Sequence, residues 1–224
     1  MRKLLLLAFI VAIGGYFAWP YAFTVVPIDD DGAPGEFDPV GYVDGIWEQL
    51  DTTTRQEAVE LSEILAAIRP DAAGRAQKED LATVADQFGL ITAGEAHVYM
   101  VRATGTITEL DTDTSLGTIE LDVDGYDGPI VARIYVGPRI PSDESSVRDA
   151  VGFITFGTFR EQTEYGRVSS EINRRVITML SALDGELVQG ASIGVVGAMT
   201  IRTFNLVEID VSRVNIVPLE IDVR

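Results

Sequence analysis

"HVYMVRATGTITELD", residues 97–111, is where the hydrophobic period of this chain changes. Val98, Met100 and Ile107 fall among β-formers that alternate toward a period of two, which reads as strand. "GTIELDVDG" and "PIVARIYVG" follow, separated by Gly- and Asp-rich turns, and predict a meander of at least three strands. The segments between Asp38 and Gly89 repeat at helical spacing, so the fold turns on this stretch.

Working back, Asp38-Pro39 gives an N-cap followed by proline in the first helical turn. Val40, Val43, Ile46, Trp47 and Leu50 continue that helix. Thr54 and Glu57 make a capping box for a second one, whose apolar face is Ala58, Leu61, Ile64, Leu65 and Ile68, with Pro70 as its stop. A third, weaker helix has Leu81, Val84, Ala85 and Phe88, ending at Gly89.

Working forward, "SSVRDAVGFI" predicts a short helical turn. A long helix, about 160–183, carries Tyr165, Val168, Ile172, Val176, Met179, Leu180 and Leu183, closed by Asp184-Gly185. The chain then returns to strand in "ASIGVVGAMTI" and "LVEIDVSRVNIVPLEIDV". "VRATGTITELD" and "GVVGAMTIRTFN" each carry a mid-strand glycine and a return strand, which fits two related oligonucleotide-binding-like (OB-like) barrels. The fold class expected is α+β: an N-terminal helical segment plus one or more small OB-like β-barrel units, or one composite sheet, joined by a long helix, after a single N-terminal membrane helix.

That leader is "MRKLLLLAFIVAIGGYFAWPYAFTVVP", with Arg2 and Lys3 ahead of an uncharged run to Ile28. Small residues suited to cleavage are lacking around Trp19-Pro20-Tyr21, and Trp19, Tyr21 and Phe23 form an interfacial belt. A signal anchor or signal peptide over 1–26 is expected, read as an uncleaved anchor ahead of cleavage, with the body on the extracytoplasmic side of a single-pass membrane attachment. An acidic linker and helical segment then span 27–95, and an OB-like β region with the intervening helix spans 96–224.

Charge excludes more than it suggests. Arg2 and Lys3 take two of the 17 bases, so the body sets 35 acids against 15 bases. Such a surface repels phosphate backbones, so no nucleic-acid partner is expected. With no cysteine, thiolate chemistry, disulfides and lipobox acylation have no acceptor. His97 is the lone histidine, read as a strand-edge residue, and no nucleophile elbow accompanies it. Asp111, Asp113 and Ser115 have calcium-loop spacing, but Leu116 stands where glycine is required. No catalytic residue, metal site or cofactor is expected.

One stretch stands out as a candidate site, "GFITFGTFREQTEYGRVSSEINRR", residues 152–175. Phe153, Phe156 and Phe159 lie three apart, ahead of Tyr165. Arg148-Asp149 is read as an internal ion pair fixing the turn. In the structural reading the aromatics seal the β unit against the long helix, with Gln162 and Asn173 satisfying buried backbone groups. In the alternative they line a small-solute pocket with Gln162 and Asn173 as polar contacts. A carboxylate-dependent hydrolase is a remote third reading.

The same stretch carries a resemblance. "VGPRI", "SSVRDAVGFITF", F-x-x-Q-x-x-Y-x-x-V at Phe159, Gln162, Tyr165 and Val168, and "EIN" resemble the DUF2291 family of predicted periplasmic lipoproteins. "VVPI" at 25–28 and "FDPVGYVDGIWEQL" match the start of that family's domain, and "NIVPLEIDV" matches its end. The most specific part is residues 134–173. The resemblance implies an envelope protein with OB-like β structure and no known activity, and a role accessory to a sugar ABC transporter. Together these readings give a non-catalytic, membrane-anchored periplasmic protein with an envelope or transporter partner. The missing lipobox cysteine departs from the family pattern.

Overall fold

Asp38 starts the first helix by accepting a 3.0 Å hydrogen bond from the Val40 amide, with Pro39 supplying a pre-set backbone angle. The computed structural model describes residues 37–183 and 185–224. Within it, residues 38–224 cluster as one unit. The leader, the linker up to residue 36 and Asp184 lie outside the described residues. Among the described residues no helix is long and apolar enough to cross a membrane.

Helix α1 runs Pro39–Glu57 and buries Val43, Leu50 and Thr54. The expected capping box is corrected here. Thr54 sits inside α1, and its hydroxyl donates back to the Leu50 carbonyl at 2.8 Å. Strand β1 (Val59–Glu60) follows, and the second helix, α2, spans Leu61–Ala67, with Leu61, Ile64 and Leu65 buried. It ends ahead of Pro70. After β2 (Arg75–Gln77), α3 (Lys78–Phe88) buries Leu81, Val84 and Ala85 and is capped by Gly89. Strand β3 is Leu90–Ile91.

The stretch that opened the sequence reading is a single strand of 16 residues, β4 (Ala96–Asp111). It leads into β5 (Thr118–Val123) and β6 (Val131–Tyr135), as the meander predicted. Helix α4 is one short turn, Ser146–Ala150, and the long helix α5 is Gln162–Leu180. Strands β7 (Ser192–Arg202), β8 (Glu208–Asp210) and β9 (Arg213–Val223) complete the chain, with β8 paired to β2 in a small separate sheet.

Five strands pair in a ring. β4 pairs antiparallel with β5, β5 with β6, β6 runs parallel to β9, β9 is antiparallel to β7, and β7 returns to β4. Of the two alternatives, a pair of barrels is therefore corrected to one ring. The two segments whose likeness suggested a pair of barrels, in β4 and β7, are partners within it, Ala96 facing Arg202 and Thr106 facing Ser192. The long helix does not join two β units. It is inserted between the third and fourth ring strands and packs on α1, α4 and β9.

Both mid-strand glycines have a steric cause. A Cβ on Gly105 would stand 2.1 Å from the Asp122 carbonyl oxygen, and one on Gly197 2.3 Å from that of Val217. Gly105 lies where β4 faces both β5 and β7, and Gly197 where the β7–β9 register shifts beside Pro218. Ile107, Ile119, Ile134, Ile193 and Met199 are fully buried from the ring, as are Leu61, Leu81 and Ile172 from the helices. This apolar burial is what drives the fold.

Candidate functional site

Helix α4 is too short to stabilise itself, so polar groups hold it. Glu144 accepts from the amides of Ser145 and Ser146 at 3.0 and 2.9 Å and from the Ser146 hydroxyl. Ser146 also shares a 2.8 Å hydrogen bond with Thr200 of β7. From α5, the buried Asn173 amide donates to the Glu144 carbonyl at 2.9 Å. Asn173 thus ties α5 to the approach to α4, satisfying a backbone group.

This anchoring places Arg148, which is buried, and Asp149, which is partly buried, under the start of α5. Their side chains meet at 2.7 Å. Arg148 Nη1 also donates to the Tyr165 carbonyl at 3.0 Å, and its guanidinium lies 3.5 Å from the Tyr165 ring centroid. Asp149 Oδ1 accepts from the Tyr165 hydroxyl at 2.9 Å, and Oδ2 from Ser145 at 2.6 Å. Burial, with the Asp149 charge second, pushes the Tyr165 phenol up to about 12. The phenol is therefore a fixed donor at neutral pH, and the buried arginine charge is balanced.

Above this floor opens a cleft of about 710 Å³. One wall is β3 and its turn, Leu90 to Gly94. The other is Gly152, Ile154, Thr155, Phe156 and Gln162, with Arg148, Asp149 and Tyr165 between them. Phe156 packs edge-on against Tyr165 at 5.8 Å between centroids, and Phe159 lies 5.4 Å from Tyr165. Tyr42 of α1 meets Phe159 at 5.2 Å.

Five of the eight residues singled out from sequence line this cleft: Arg148, Asp149, Phe156, Gln162 and Tyr165. Phe159 backs it through Tyr165. Phe153 is half-buried and Asn173 is buried, and both lie outside its lining. The sealing role expected for Phe156 is corrected, because its side chain is 52% exposed. Gln162 is also exposed and faces the cleft, so it does not serve a buried backbone group. Leu90 and Ile91 were missed, since two residues give no period to read. Glu144 and Ser146 were missed because only the tertiary structure shows what they cap.

Three acids lining another cleft are committed to structure. In a second cleft of about 450 Å³, Asp143 pairs with Arg202 at 3.2 Å, Glu144 caps α4, and Asp210 accepts from Ser212 at 2.6 and 2.9 Å. Among the described residues no group of three or more potential ligands could hold a metal ion. His97 is corrected from a strand edge to a central position, paired with Ile91 on one side and Ile201 on the other. It is 2% exposed, and burial lowers its pKa.

Comparison with known proteins places this architecture. The profile of DUF2291, described as predicted periplasmic lipoprotein, matches residues 9–222. The chain belongs to the DUF2291 family. An envelope location fits that description. DUF2291 membership does not bring a lipid acceptor with it, since the 224 residues contain no cysteine. No curated protein matches this DUF2291 chain. A crystal structure of an OB-fold protein from Thermotoga maritima is similar to it, with a TM-score of 0.59 at 14% identity, covering 84% of this chain and 99% of that one. The likeness establishes an OB-type fold for this DUF2291 protein, in agreement with the five-strand ring.

Proposed function

We propose that this chain is a non-catalytic, extracytoplasmic binding protein, tethered to the membrane by its N-terminal segment, whose working surface is the cleft between β3 and the α4–α5 junction. The observation that carries the reading is the contrast between the cleft's floor and its rim. The floor is locked, with Arg148, Asp149 and Tyr165 satisfying one another. The rim exposes Phe156, Leu90 and Ile91, apolar side chains that folding alone would bury. A preorganised floor under an apolar rim suits binding, because little remains to be ordered when a partner arrives. Tyr165, held protonated, and Asp149, committed to Arg148, Tyr165 and Ser145, are occupied in structure, which supports a non-catalytic role.

The partner in this reading is another envelope protein, with a component of a sugar uptake transporter as the candidate carried by the family resemblance. A small solute is the second reading, favoured by the cleft volume and the exposed ring of Phe156 beside Gln162.

The test is a photo-crosslinking amino acid placed in the full-length chain in its own membrane. Positions Gln162 and Phe156 lie in the cleft. Val188 is exposed beyond the opposite end of β7, where Ala191 bonds back to it. Adducts from the two cleft positions and none from Val188 are expected. Equal labelling at all three, or none at any, would refute the assignment of the cleft.

A further inference from the structure

One wall of the cleft is a sheet edge. Strand β3 pairs with β4 on one side, and among the described residues no strand lies on its other side. The phase of the ladder is set by the Thr92 amide, which donates to the Ala96 carbonyl at 2.9 Å. In an antiparallel pair, bonded and non-bonded positions alternate. Ile91 and His97, one step along, are therefore a non-bonded pair, and the amide and carbonyl of Ile91 point away from β4. The run Leu90–Gly94 lines the cleft. The unused backbone donor and acceptor of Ile91 thus lie at the cleft's own wall.

Native sheets blunt such edges with charge or proline. Here the edge residues are Leu90 and Ile91, 46% and 44% exposed. Facing them, Phe156 offers an apolar seat. Gly152 lines the cleft opposite Leu90 with a φ of 72°, and a Cβ there would stand 3.1 Å from Leu90 Cδ1. The charge of the surroundings is also specific. Arg148 is neutralised by Asp149, the chain as a whole carries -18, and the exposed Glu161, whose carboxylate accepts from the Thr163 hydroxyl at 2.6 Å, adjoins the lining residue Gln162, while Glu95, next to Gly94, is already paired with Lys78.

We infer that the cleft captures an extended polypeptide segment of a partner, added as a strand to the Ile91 edge, with an apolar side chain against Phe156 and lysine or arginine on either side of it. Main-chain hydrogen bonds at the edge supply affinity, while the seat and the acidic surround choose the sequence. The inference rests on the cleft reading above and names its ligand class.

The experiment uses the full-length chain in detergent and a capped synthetic heptapeptide of alternating lysine and valine, followed by fluorescence anisotropy. Saturable binding is expected. N-methylation of the valine amides keeps charge and side chains but removes the donors, and should weaken binding about tenfold. Ile91→Pro should weaken the parent peptide by a similar factor while leaving the melting temperature near that of the unaltered chain, because the lost N–H bonds nothing in β4. The same variant should bind the N-methylated peptide no worse than the unaltered chain does. Equal affinity for the two peptides would show charge attraction alone and overturn the inference. So would a dimer in sedimentation that Ile91→Pro dissolves, since a second copy would then own the edge. Cleft-specific crosslinks without peptide binding would sink strand addition and leave the cleft reading standing. The absence of both would sink both.

Discussion

At the scale of residues, the site is governed by the way three side chains cancel one another's needs. Arg148 and Asp149 are consecutive in sequence, and the ion pair read from that adjacency is present. The sequence does not reveal that Tyr165 completes it, because a tyrosine on a helical face reads as core. Its phenol, pushed up to about 12, should remain neutral well past the usual tyrosine range, with deprotonation visible in the ultraviolet only as pH approaches that value. The folded state raises this pKa, so its contribution to stability is complete below the ordinary tyrosine value and is lost as pH rises toward 12. Tyr165→Phe should remove the high-pH absorbance step and lower stability by about 0.5–1.5 kcal/mol for one hydrogen bond. Phe156→Ala should cost under about 1.5 kcal/mol in thermal unfolding, since half-exposed rings bury little. A loss typical of a core phenylalanine would return Phe156 to the structural role first expected of it.

At the scale of elements, α1 and α5 are held together by charge as well as by apolar packing. Glu171, buried on α5, receives Arg174 at 2.6 Å and Arg175 at 3.2 Å. Arg175 reaches across to Asp44 of α1 and lies 5.2 Å from the Trp47 ring. The hydrogen bond from Arg174 is the main cause holding the Glu171 carboxyl below its usual range. Unfolding therefore takes up a proton as pH falls, and this stabilisation, full above the ordinary carboxylate pKa, is lost as pH drops through the lower folded value. Glu171→Gln should flatten the acid limb of a stability–pH profile as well as lower its plateau. At the start of α1, Asp38→Ala should cost about 1 kcal/mol in chemical denaturation by removing its cap. The helices were legible because their spacing and caps are local. Thr54 misled because the same four-residue pattern that starts a helix can ride inside one when the hydroxyl bonds to the preceding turn. β1, β3 and β8, of two or three residues, owe their existence to partners elsewhere in the chain, which no local pattern announces.

At the scale of the whole molecule, the α+β class and the meander were open to reading, and the ring was not. Alternation in β4 and β7 marks both as strands, but which strand each meets depends on the packing of everything between them. The ring joins its first strand to its fourth, Ala96 to Arg202, across both α4 and α5. Contacts so far apart in sequence slow folding, because the chain must be brought together before the pairing rewards it. As the chain is made, β4, β5 and β6 come first, with β4 and β6 each lacking a neighbour until β7 and β9 follow. A chain stopped after Leu183 should therefore aggregate when refolded, with light scattering rising where the full chain stays clear. Completion of the domain is timed by β7 and β9: until both have formed there is no finished domain to pull on, and a chaperone that shields open β-edges has its longest claim on the chain at that moment.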